Sequence, residues 1–219
     1  MALNKTTGNM YNFITHTWNV IKGHCFHDCS YCYMKRWGEL KPVRFDEKEL
    51  KTDLGSGNFI FVGSSCDMWS PNISIDWINR ILEKTFEAKE NKYLFQSKNP
   101  DRFDDFLTKM RMCDVLATTI ETNRYYPEMG VTPKPQKRAE ALLHRGGKTM
   151  ITIEPVMDFD LVPFVDLIKS CKPSQVNIGA DSGDNHLPEP PREKIIELIS
   201  ELEKFTVVEK KKNLGRLFA

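Results

Sequence analysis

Phe59-Ile60-Phe61-Val62-Gly63 is a short apolar run closed by glycine, and Ile75–Ala88 behind a Ser74 cap carries apolar residues at helical spacing. Lys92–Gln96 then returns to a strand-like run, and the same exchange recurs outward in both directions. Strands are expected near Trp18–Ile21, Phe59–Gly63, Lys92–Gln96, Val115–Ile120, Thr149–Glu154 and Gln175–Gly179. Helices are expected over Glu47–Asp53, Ile75–Ala88, Pro100–Arg111, Pro135–His144 with a stop at Gly146-Gly147, Leu161–Ser170 and Arg192–Lys204. Regular alternation of this kind builds parallel βα units. About six units are too few for a closed barrel, so the expected α/β fold is a partial, open (βα)6 TIM-like barrel, with a doubly wound sheet as the alternative. In either case the chemistry belongs at the strand C-terminal ends.

The 219 residues are 40% hydrophobic and 28% charged, and 31 Lys+Arg face 30 Asp+Glu for a net charge of +1. One domain over 1–219 is expected, with a core over about 13–185 and a C-terminal helix and basic extension over about 186–219. Near-neutrality excludes a global basic field, although a local basic patch remains compatible with it. Nothing after Met1-Ala2-Leu3-Asn4-Lys5 resembles an apolar leader, and no apolar run has the length of a membrane span, so a cytoplasmic location without a membrane partner is expected.

Three of the six cysteines lie in Cys25-Phe26-His27-Asp28-Cys29-Ser30-Tyr31-Cys32, spaced C-x3-C-x2-C directly after the first expected strand. Three thiolates on one loop can hold three corners of a [4Fe–4S] cluster and leave the fourth iron open to a small molecule. The competing reading is a structural zinc site with His24 or His27 as fourth ligand, although no second Cys or His pair follows. Cys113 and Cys171 fall in helix-side segments and read as packing residues.

The cysteine spacing, with Tyr31 just before the third cysteine, resembles the radical S-adenosylmethionine (SAM) superfamily. The likeness continues in order through Thr17-Trp18-Asn19, Gly63-Ser64-Ser65-Cys66-Asp67-Met68, Ser97-Lys98-Asn99-Pro100, Thr119–Asn123, Ile153-Glu154-Pro155 and Gly179–Gly183. Together these look like the compact radical SAM family of phages and prophages, and more distantly like the spore photoproduct lyases. The resemblance implies a cluster on Cys25, Cys29 and Cys32, reductive cleavage of SAM to a 5′-deoxyadenosyl radical, and hydrogen abstraction from an organic substrate. If the chain is phage-encoded, the location becomes the host cytoplasm. An external electron donor such as flavodoxin or ferredoxin is implied as well.

By the same resemblance, Gly63, Ser64, Ser65 and Asp67 contact the methionyl amino group, in place of the more usual Gly-Gly-Glu-like sequence, and Lys98 pairs with the SAM carboxylate. Thr119 and Glu121 alternate about Ile120 and suit ribose hydroxyls. Glu154, a carboxylate in an apolar strand, faces SAM or substrate or else forms a structural ion pair. Tyr31 is expected near the adenine, while Asn177 and Asp181-Ser182 complete the adenine side or line the substrate cavity, with a plain turn at Asp181-Ser182-Gly183 as the alternative. Cys66, beside the SAM loop, is a candidate hydrogen-atom donor; otherwise it is a small buried hydrophobe.

Trp18, Trp37 and Trp69, with Met34-Lys35-Arg36-Trp37, either stack a base and contact a phosphate or form a lid over the cluster. Lys210–Arg216 is a second basic patch, either touching an anionic substrate or solvated as a tail. The family likeness favours a nucleotide or modified DNA base as substrate, rearranged or cleaved. The alternative is a non-catalytic, zinc- or cluster-stabilised nucleic-acid-binding module.

Overall fold

A computed structural model describes residues 3–143 and 147–219. Its strands are β1 Asn4–Lys5, β2 His16–Trp18, β3 Ile21–Lys22, β4 Arg44–Phe45, β5 Phe59–Val62, β6 Lys92–Ser97, β7 Val115–Thr119, β8 Lys148–Ile153, β9 Gln175–Ile178 and β10 Val207–Lys210. Eight of them form one sheet in the order β1-β2-β5-β6-β7-β8-β9-β10. Every pair from β2 to β10 is parallel, and β1 joins β2 antiparallel. The order never reverses, which excludes the doubly wound alternative.

The first strand ends at Trp18 rather than running to Ile21. Asn19 turns out of the sheet, and its Oδ1 accepts from the Ser65 amide at 2.9 Å and the Ser64 hydroxyl at 3.1 Å. Beyond that turn β3 pairs with β4 in a separate two-stranded ribbon. β10, expected only as part of a basic extension, lies parallel to β9 from Val207↔Gln175 to Lys210↔Ile178.

The helices are α1 Glu47–Leu50, α2 Ile75–Glu87, α3 Pro135–Glu140, α4 Leu161–Ser170 and α5 Arg192–Glu203. Ser74 Oγ accepts from the Trp77 amide at 3.2 Å, fixing the start of α2. Pro100–Lys109 winds as a 3-10 helix instead of an α-helix. Phe103 and Phe106 eclipse at the three-residue spacing of that helix and both pack on Trp69, with centroids 4.9 and 5.7 Å away. The expected helix end at His144 and the Gly146 half of its stop lie outside the described residues.

Strand alternation separates two cores. Ile60, Val62, Tyr93, Phe95, Ile151, Ile153, Val176 and Ile178 meet the helices, where Ile78, Ile81 and Leu82 of α2 and Ile195, Leu198, Ile199 and Leu202 of α5 recur at helical spacing. Phe61, Leu94, Ala117 and Met150 face the other way, onto Tyr11 and Ile14 of the N-terminal segment. Polar residues continue this second face at the strand C-terminal ends. Among the described residues, no helix is long and apolar enough to cross a membrane.

Candidate active site

A cavity of about 440 Å³ opens at the strand C-terminal ends, a size suited to a small-molecule ligand. One wall is the cysteine loop, with Cys25, Cys29, Tyr31 and Cys32, and beside it lie Gly63, Ser64, Ser65, Cys66 and Asp67. Gln96, Lys98, Thr119, Thr152 and Glu154 reach it from successive strands. Their two-residue spacing on β6, β7 and β8 places them on the face opposite the helices.

The segment Pro127–Val131 supports the cysteine loop from below. Ser30 N donates to Glu128 O at 2.9 Å, Val131 N donates to His27 O at 2.8 Å, and the Cys29 thiol donates to Met129 O at 3.2 Å. Gly130, at φ +66°, fits beneath because a Cβ there would overlap the His27 carbonyl. Nothing in the sequence around Gly130 signalled this contact across a hundred residues.

Asp67 binds three segments together. Its Oδ2 accepts from His27 Nε2 at 2.8 Å, Ser97 Oγ at 2.9 Å and Lys98 N at 2.9 Å, while Oδ1 accepts from Trp69 N at 2.9 Å. Burial opposes its charge, but His27 and the amides outweigh it and hold the carboxyl below its ordinary value. For His27 burial likewise opposes charge, yet Asp67 raises its pKa. Asp67, expected at the methionyl amino group, thus lines the cavity with its carboxylate already accepting from four donors.

Glu121 also departs from expectation. It is fully buried, does not line the cavity, and so has no access to a ribose. Its Oε1 accepts from Lys98 Nζ at 2.7 Å and Tyr31 OH at 2.6 Å, and Arg138, equally buried, pairs with Oε2 at 2.9 Å. Burial pushes the carboxyl up, but Arg138 and Lys98 outweigh it and keep it far below the usual glutamate range. Lys98 Nζ also lies 2.6 Å from Tyr31 OH, 3.5 Å from Cys29 Sγ and 4.3 Å from the Tyr31 ring centre. Tyr31 thus has its hydroxyl committed to Glu121 and Lys98 while its residue lines the cavity. Arg138, missed in the sequence because it sits on a charged helix, also donates to Thr119 O at 2.6 Å.

Thr119 lines the cavity and its hydroxyl accepts from Gln96 Nε2 at 3.1 Å. Gln96 Oε1 and Thr152 Oγ1 each lie 2.7 Å from Tyr11 OH, so the N-terminal segment supplies part of the cavity floor. Asn177 does not line the cavity: it sits one residue before the end of β9, buried, and its Oδ1 accepts from Gln175 at 3.0 Å.

Glu154 does line the cavity, as a hub between the two ends of the chain. Its Oε1 accepts from Asn9 at 2.7 Å and Asn213 at 2.9 Å, and Lys211 pairs with Oε2. Lys211 Nζ also stands 4.5 Å from the centre of the Tyr11 ring. A Cβ at Gly179 would come within 2.8 Å of the Glu154 carboxyl and displace it, so glycine leaves that side chain its place. The basic C-terminal patch is consequently not a free tail. Asp181 and Ser182 stand at the rim, where Arg216 and Asn213 fasten the Asp181 and Ala180 carbonyls.

Cys66 lines the cavity, but it packs in the main core beside Cys25. Its thiol draws that of Cys25 below the ordinary value. Cys171 is buried and Cys113 exposed.

The donor set fits a [4Fe–4S] cluster. Cys25, Cys29 and Cys32 line one space, and three thiols on one loop can hold three irons of such a cluster and leave the fourth open. Among the described residues, no three His, Cys, Asp or Glu side chains, the three cysteines included, gather around one ion position, and the two histidines of the loop have other partners. His27 is engaged by Asp67, and His24 lies 3.3 Å from Asp28.

No protein-family profile and no curated protein sequence matches the chain. Its fold is that of spore photoproduct lyase. A cysteine-to-serine mutant of that enzyme superposes with TM-score 0.66 at 11% identity, over 94% of this chain and 80% of the other. A mutant with bound AdoMet and dinucleoside spore photoproduct gives 0.59 at 11% identity, over 93% of this chain and 66% of the other. A lyase complexed with dinucleoside spore photoproduct gives 0.58 at 10% identity, over 91% and 64%.

Proposed function

We propose that this chain is a radical SAM enzyme acting on a nucleobase-type substrate. The observation that carries the reading is the opening of Cys25, Cys29 and Cys32 onto one wall of a 440 Å³ cavity, at the C-terminal ends of a sequentially ordered parallel sheet. The lyase fold, whose solved complexes hold AdoMet and a dinucleoside lesion, supports it. In this reading the sheet is a partial, open barrel in one domain, working in a reducing cytoplasm with a flavodoxin- or ferredoxin-like donor.

Cys25, Cys29 and Cys32 hold the cluster, which when bound supplies the electron that cleaves SAM and starts radical chemistry. Ser64 and Ser65, fixed by Asn19, border the methionyl end of SAM. Lys98 lines the cavity at Cys29, and a SAM carboxylate there shares its ammonium with Glu121 and Tyr31. Thr119, Gln96 and Thr152 present neutral hydrogen-bonding groups, suited to a base edge. Glu154 and Lys211 neutralise each other at the far wall, so an uncharged group is accommodated there.

Anaerobic reconstitution tests the reading. A brown protein with about four irons, releasing 5′-deoxyadenosine on addition of dithionite and SAM, is expected. A colourless protein retaining stoichiometric zinc would falsify it and leave the non-catalytic module. Replacing Cys66 with Ala then asks whether its thiol delivers hydrogen: redistributed products with SAM cleavage intact support that role, and unchanged products remove it.

A further inference from the structure

We infer that the exposed Tyr33–Trp37 turn is a docking platform for a single-stranded polynucleotide: a flanking base stacks on Trp37 and Arg36 takes the adjacent phosphate. The inference rests on the nucleobase reading above and extends it from a free base to a base carried in a strand.

Three tryptophans were candidates for base stacking, and the structure separates them. Trp18 and Trp69 are fully buried, whereas Trp37 is 70% exposed beside the cavity mouth. A lid over the cluster would bury its indole against the loop, and this one faces solvent. Its only ring partner among the described residues is Tyr33, near-perpendicular at 81° with centroids 5.9 Å apart, and a T-shaped pair occupies at most one indole face, leaving the other open to stacking.

The platform is held in place before any ligand arrives. Tyr33 OH donates to Ser64 O at 2.9 Å, Lys35 pairs with Asp28 at 2.7 Å, and Arg36 Nη2 donates to Ser182 O. Tyr33 and Arg36 therefore have less side-chain freedom to lose on binding than untethered surface residues. Tyr33 lines the main cavity and Trp37 lies outside it, so the aromatic pair leads from the reacting position to the surface. A second recess of about 200 Å³ adjoins the turn, lined by Tyr31, Cys32, Tyr33, Lys35 and Arg36 with Gly183 and Asn185 across from them.

Charge distinguishes the two cations. Lys35 is committed to Asp28, but among the described residues no carboxylate pairs with Arg36, which borders both the cavity and the recess. A guanidinium bound only to a carbonyl retains donors for a phosphate. Every base offers a π-face to the indole, whereas an acidic peptide would use the cation and leave Trp37 idle.

The test uses the full chain without turnover, titrated with an oligothymidylate of about eight residues, thymidine monophosphate and an oligoglutamate peptide, and read by anisotropy and tryptophan quenching. The oligonucleotide is expected to bind with quenching. Trp37→Ala should weaken it about 5- to 150-fold without altering the mononucleotide, and Trp37→Phe should recover most of the loss. Arg36→Gln should reduce the salt slope by about one. Unchanged oligonucleotide affinity in Trp37→Ala, an equal loss for the mononucleotide, or equal binding of the peptide would overturn the inference. Because none of these readouts needs the cluster, failure to form it would remove the enzyme reading while leaving the platform result intact.

Discussion

Glu121 and Glu154 stand two residues beyond β7 and one residue beyond β8, as carboxylates set among apolar strands, yet their surroundings differ. Glu121 is fully buried between two cations, Lys98 and Arg138, with a tyrosine hydroxyl. Glu154 remains 16% exposed and holds one cation with two amides. The difference follows from what each must join. Glu121 organises the side of the cavity at the cysteine loop, deep under the Pro127–Val131 support. Glu154 ties Asn9 to Lys211 and Asn213 and so fastens together the two ends of an open sheet, where solvent still enters. A fully buried carboxylate is held here by two cations, while one that keeps some water is satisfied by a single cation and neutral donors.

The largest effect should come from Glu121→Leu, which leaves Lys98 and Arg138 buried without their counter-charge and should cost about 3–5 kcal/mol in urea unfolding. A loss below that of Glu154→Ala would break the comparison. Glu154→Ala removes charge-assisted bonds from a partly wet site, and about 1.5–3 kcal/mol is expected.

The two sites should also separate with pH. The folded pKa of Glu121 lies below its ordinary 4.5, so its contribution is complete above that value and is lost as pH falls from there toward the folded pKa. Stability of the wild type should drop below pH ~4.5 by up to about 1.4 kcal/mol per unit from this group. Glu121→Gln should flatten that limb; an identical limb in both proteins would show that other carboxylates set it.

Gly179→Ala should cost about 1–3 kcal/mol by pressing on the Glu154 carboxyl, and less in a Glu154→Ala background, as a double-mutant cycle would measure. Tyr11→Phe, which removes the hydroxyl shared by Gln96 and Thr152, should cost least, about 0.5–1.5 kcal/mol by the same unfolding assay.

Much of the fold was legible because strand and helix periods are local properties. Leu161–Ser170 coincides with α4, and Ser74 caps α2 where its position suggested. β10 was missed because Val207-Val208-Glu209-Lys210 is half charged and becomes a strand by pairing with β9. In the candidate site, the alternation of Thr119 with Glu121 was readable, but not the depth that withdraws Glu121 from the cavity. The clamp around Asp67 was not readable, because His27, Ser97 and Lys98 reach it from thirty to forty residues away. Lys211 and Asn213 read as a solvated patch because their partner, Glu154, is more than fifty residues away.

The sequence by itself determined the parallel βα architecture and the three-cysteine loop, since both depend on spacing along the chain. Only the tertiary structure decided which polar side chains are spent on one another and which face the cavity. A carboxylate's role depends on how many donors reach it and how much water remains, and both are set by segments that meet only when the sheet is assembled.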